Sequence, residues 1–135
     1  AIWREIGDHA SLAQSLSNLG DVLLEMKNFS EARSNFVEAL SVAKKAGLVP
    51  IMLDSLLGEA ILRANAGDKE FAAKALALIM HHPAGTKVTK DRAEALYADI
   101  SDGKSSTADN ILREGVFNSL VLEILRKYAS SQAFA

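Results

Sequence analysis

The sequence predicts an all-α chain folded as a solenoid of antiparallel helix pairs. Three observations carry this expectation. With only 2 prolines and 8 glycines in 135 residues and 6% aromatics against abundant Ala and Leu, the composition favours helix from end to end. Apolar residues recur at helical spacing, as at Leu12, Leu16, Leu19 and Leu23. Punctuation recurs as well: Gly7 and Gly47 stand 40 residues apart, each closing a stretch of helical character, and such a period marks stacked helix pairs.

Residues 1–7 read as a half pair whose helix ends at Gly7, the residue that takes a left-handed C-cap most readily. The chain opens in mid-helix and without Met, so it reads as a piece of a longer protein, with Trp3 as a buried anchor. The next unit spans residues 8–47. Its first helix carries the stripe Leu12, Leu16, Leu19 and Leu23, with Gly20 where another backbone comes close. Asn28 and Glu31 suggest a capping box that opens the second helix, on which Ala32, Phe36, Ala39, Leu40 and Ala43 share a face.

A third unit, 48–83, repeats these features loosely. Leu57, Gly58 and Ile61 are read as copies of Leu19, Gly20 and Leu23 at an offset of 38, while Asp68, Ala72 and Leu76 copy Asn28, Ala32 and Phe36 at 40. That reading gives the second pair a longer inner turn. Pro50 suits a first helical turn, and Pro83 ends the pair. A further helix is expected over 86–100 with Ala93, Leu96, Tyr97 and Ile100 on one stripe. A flexible linker over 101–107 follows, and then a capping region over 108–135, interrupted at Gly115.

The set Leu16, Leu19, Gly20, Leu23, Ala32, Phe36 and Ala39 resembles the tetratricopeptide repeat, with Leu16 and Leu23 standing where that family often has Trp and Tyr. The resemblance implies a right-handed α-α superhelix. The long period and the phrase from Trp3 to Asp8 look like the repeats at the C-terminal end of large bacterial STAND-type signalling ATPases and helix-turn-helix transcription activators. The stretch from His81 to Leu96 resembles their closing segment.

Composition narrows the function. Fifteen Lys and Arg against 17 Asp and Glu, interspersed and with a net charge of −2, leave no cationic footprint for nucleic acid. No apolar run nears the roughly 20 residues of a membrane span, and no secretory leader opens the chain, so a cytoplasmic location is expected. Without cysteine there is neither disulfide nor thiolate metal site. The neighbours His81 and His82 would point about 100° apart on a helix, so they do not converge on a metal, and they read as cationic rings at a helix C-terminus. No phosphate loop is present, and Ser15, Ser17 and Ser55 lack partners for nucleophilic chemistry. The chain therefore reads as a non-enzyme without cofactor.

What remains is recognition of a protein or peptide. In the tetratricopeptide fold the first helices line a concave groove. The resemblance therefore implies ligand contacts at Gln14, Ser17, Asp21, Leu24 and Glu25, and in the next pair at Met52, Ser55, Glu59, Leu62 and Arg63. The alternative is that these are solvated faces. Asp21 and Glu59 favour basic or mixed ligands. The function expected is a non-catalytic interaction module, the sensor or scaffold segment of a signalling or transcription-regulatory ATPase. The competing expectation is a self-associating domain that forms homodimers through its terminal helix.

Overall fold

The computed structural model describes residues 2–101 and 116–133. Among them are six helices and no strand: α1 (Ile2–Glu25), α2 (Phe29–Ala46), α3 (Val49–Asn65), α4 (Lys69–His81), α5 (Lys87–Ser101) and α6 (Val116–Ala133). Successive helices pack as neighbours from α1 to α5, and α3 also touches both α1 and α5. This is the expected all-α helical repeat, with the odd-numbered helices forming one layer and α2 and α4 the other. Helix α6 returns to pack principally against α2, burying Leu120, Val121 and Ile124 in the main core. The expected linker, apart from Ser101, and the break at Gly115 lie outside the described residues, as do the side chains of Trp3 and Tyr128.

Most helix ends follow from local chemistry. Gly47 adopts φ 70° and closes α2, with Leu48 donating to the Ala43 carbonyl at 2.9 Å, so the last orphan carbonyls are satisfied. Pro50 sits in the first turn of α3, where its missing amide removes no helical bond. Asp68 caps α4 by accepting from the Phe71 amide at 3.2 Å. Thr86 does the same for α5, accepting from the Thr89 amide at 3.2 Å. Asn28 occupies the matching position before α2 but its side chain makes no cap bond, so the expected capping box is not formed.

The expected stop at Gly7 is also absent, because α1 is continuous. Asp8, His9 and Ala10 extend the helix and no proline follows. An interior glycine costs about 1 kcal/mol of propensity but does not by itself end a helix. Residues 1–7 and the start of the next unit are thus one element.

The repeat is uniform where the sequence suggested a slip. Each pair has three residues between its helices, 26–28 and 66–68, with Lys27 (φ 62°) and Gly67 (φ 95°) in equivalent left-handed positions. The offset is therefore 40 throughout the pair, and Gly20 corresponds to Ala60 rather than Gly58. Gly58 has another task. A Cβ there would stand 2.5 Å from the Phe36 ring, and one at Gly20 would stand 2.7 Å from it. Phe36 is thus wedged between two helices that approach it through glycine, and it anchors a small cluster with Leu23, Ala32 and Leu62.

The inner face of α1 differs from the expected leucine stripe. Ala13, Ser17, Gly20 and Leu23 face inward, whereas Leu12 is 48% and Leu19 50% exposed. Close approach of α2 and α3 selects the small residues for the contact side. Leu12, Leu19 and Val22 form an exposed apolar stripe on the outer side of α1, and Met26 in the following turn and Phe29 at the start of α2 are exposed as well.

Candidate functional site

One concave surface is shared by the three helices of the first layer. A cavity of about 290 Å³ is lined by Gln14, Asn18 and Asp21 of α1, Pro50, Ile51 and Asp54 of α3, and Val88, Thr89 and Arg92 of α5, with Thr86 at its edge. Helical geometry explains this grouping. Positions 14, 18 and 21 recur on one stripe of α1, 50, 51 and 54 on the first turns of α3, and 88, 89 and 92 on those of α5. The lining mixes polar and charged side chains with apolar ones, Pro50, Ile51 and the exposed Val88.

Charge is concentrated at the meeting point. The Arg92 guanidinium lies 3.6 Å from Asp21 Oδ1 and 3.8 Å from Asp54 Oδ1. Both separations exceed the roughly 2.7–2.9 Å of a close charge-assisted hydrogen bond. Ser17, fully buried, donates its hydroxyl to Asp54 Oδ2 at 2.9 Å and so fixes that carboxylate from beneath. Burial raises the Asp21 carboxyl above its ordinary value; the Arg92 charge opposes this and the Asp54 charge adds to it. Gln14 donates to Asn18 Oδ1 at 3.1 Å, forming an amide shelf beside the charges.

The expected groove residues divide sharply. Gln14 and Asp21 line the cavity, Glu25 is exposed on the same helix, and Ser17 lies beneath the site rather than on it. Leu24 packs on the Phe36 cluster. The five residues assigned to the second pair are buried: Met52, Ser55, Glu59, Leu62 and Arg63. The cause is the two-residue slip, which turns a helical position by about 200° and exchanges the outer side of α3 for its inner one. The offset of 40 instead carries Gln14 onto Asp54, a groove residue that sequence reasoning missed along with Asn18, Val88, Thr89 and Arg92.

The buried stripe of α3 holds an ion cluster. Glu59 Oε1 accepts from Arg63 Nε at 2.9 Å and pairs with Arg33 at 3.0 Å, while Arg63 lies 3.6 Å from Asp68 and stacks 4.2 Å over the Phe71 ring. This cluster ties the first helix pair to the second.

A second cavity, of about 220 Å³, lies between α3, α4 and α5, lined by Ile61, Leu76, Leu96 and Ile100 among others. It is mostly apolar, with Asn65 and Lys69 as the polar residues among the described lining. Among the described residues no group of three or more His, Asp or Glu side chains could hold a metal ion, and no helix is long and apolar enough to cross a membrane.

The histidine pair departs from its expected role. His82 is extended (φ −74°, ψ 128°) ahead of Pro83, and its Nδ1 accepts from the Ala84 amide at 3.1 Å, which requires an unprotonated Nδ1. Burial lowers its pKa below the ordinary histidine value, and the Lys90 charge adds to the effect. The unfolded chain therefore binds a proton more readily than the folded one. Stability is expected to fall as pH drops below the unfolded value of about 6.5, until the lowered folded value is passed. Urea midpoints at several pH values check this. His82→Asn, whose carbonyl can take the Ala84 amide, should flatten the dependence in that window.

A family model described as tetratricopeptide repeat matches residues 1–45, which cover α1 and nearly all of α2. No curated protein and no solved structure matches the chain.

Proposed function

We propose that the chain is a non-catalytic interaction module that captures an extended segment of a partner protein in the groove shared by α1, α3 and α5. The observation that supports this most is the convergence of three helices on one cavity with an amide shelf, two carboxylates, a guanidinium and apolar side chains. Ligand sites combine such an apolar surface with a few polar groups that fix orientation. The match to the tetratricopeptide repeat supports the same reading, since that family's groove accommodates polypeptide.

In this reading the module is the sensor or scaffold segment near the C-terminus of a larger cytoplasmic signalling or transcription-regulatory ATPase of bacterial type. The 40-residue period and the phrase from Trp3 to Asp8 support that context. Capture in the groove would bias the parent between two states.

Filling the groove tests the proposal. Asn18→Trp and Val88→Trp alter exposed side chains and are expected to leave the unfolding midpoint nearly unchanged. A partner retained from lysate by the wild type should be lost by both variants. Equal retention by either variant would move the site elsewhere.

A further inference from the structure

We propose that the groove site binds a cationic side chain of the partner segment, lysine or arginine, with its charge between Asp21 and Asp54 and its methylene stem on Pro50, Ile51 and Val88. This rests on the reading of the groove as the capture surface and names what that surface selects.

Charge complementarity supplies the first argument. Among the described residues, the charged side chains lining the cavity are two carboxylates and one guanidinium, an excess of negative charge. An incoming anion would meet Asp21 and Asp54, and Arg92 is already turned to them. An incoming cation would balance the site.

Geometry supplies the second. Arg92 pairs with both carboxylates at 3.6 and 3.8 Å, longer than a close charge-assisted hydrogen bond, so a cation already stands at the site and is held there loosely. Asp54 is held rigid by buried Ser17, so its acceptor is positioned before any ligand arrives. The apolar lining residues of the same cavity suit a long aliphatic stem, which Lys and Arg carry and Asp and Glu have only in shortened form. Arg92 thus acts as the chain's own competitor for the site.

The test titrates the isotope-labelled chain with capped nonapeptides of alternating Ser and Ala whose central residue is Lys, Gln, Glu or norleucine. The Lys peptide should bind about fivefold more tightly than the Gln and norleucine peptides, the upper end of the range for a solvent-accessible ion pair. Asp21→Asn and Asp54→Asn should abolish that preference and leave Gln-peptide binding as it was. Arg92→Gln should tighten Lys-peptide binding by about threefold or more, since it removes the internal competitor.

Weaker Lys binding in Arg92→Gln, or a preference for Glu, would overturn the proposal. Equal affinity for Lys and Gln peptides, lost in Asn18→Trp, would overturn it while leaving the groove as a capture surface. No groove shifts with any peptide would overturn both.

Discussion

Replacing Glu59 with alanine is expected to cost about 3–5 kcal/mol of folding stability, the range for removing one partner from a buried ion pair. Glu59 is only 1% exposed, and its Oε1 serves two arginines at once. Arg33 is half-exposed and returns to water when its partner goes, so it contributes little to the loss. Arg63 is buried and is left with a 3.6 Å contact to Asp68 and the face of Phe71, and that stranded charge accounts for most of the cost. The double replacement Glu59→Leu/Arg63→Met removes both charges and should cost less than Glu59→Ala alone. Urea unfolding followed by circular dichroism measures both. Because the cluster joins the two helix pairs, Glu59→Ala should also lower the denaturant slope as they cease to unfold together.

Phe36→Ala is expected to cost about 3–5 kcal/mol, the usual range for truncating a buried aromatic ring. Its surroundings cannot refill the space, since Gly20 and Gly58 offer no side chain and the helices on either side are fixed by their own contacts. The same geometry makes the glycines sensitive in the opposite sense. Gly58→Ala gains about 1 kcal/mol of helix propensity but drives a methyl to 2.5 Å from a buried ring, and overpacking of this kind costs about 1–3 kcal/mol. In the wild type it should therefore be neutral or destabilising. In the Phe36→Ala background the clash is gone and part of the void is filled, so the same substitution should stabilise. A double-mutant cycle on the unfolding free energy reads the reversal directly.

The features legible in the sequence were those fixed within a few residues. Gly47, Pro50, Asp68 and Pro83 each act on the adjoining turn, and each end lies where its chemistry places it. The pairing of α1 with α2 was legible from the apolar faces on either side of a short turn, although Gly20 meets the Phe36 ring rather than the helix backbone expected there. The face that α1 turns inward was not. Four leucines at helical spacing outweighed Ala13, Ser17 and Gly20 on hydropathy, yet helices in close contact bury the small residues and leave Leu12 and Leu19 outside.

Gly58 misled for a related reason. It resembles Gly20 because it meets the same ring, but it does so from the neighbouring pair. Aligning the two glycines rotated α3 and sent the candidate site into the core. The equal three-residue turns, with Lys27 matching Gly67, were the signal that would have restored the offset of 40 and brought Asp54 into the groove. Arg92 had no local signal, because its role depends on α5 lying beside α1 and α3. The terminal helix, expected as a cap with self-association as the competing reading, buries Leu120, Val121 and Ile124 within the fold. Among the described residues, an exposed apolar stripe lies on α1.

Methyl cross-saturation from the captured partner to the isotope-labelled chain distinguishes the groove from that stripe in one experiment. If the groove is the capture surface, saturation will reach Ile51 and Val88 and will spare Leu12, Leu19 and Val22. Saturation of the α1 stripe with Ile51 and Val88 untouched would contradict it.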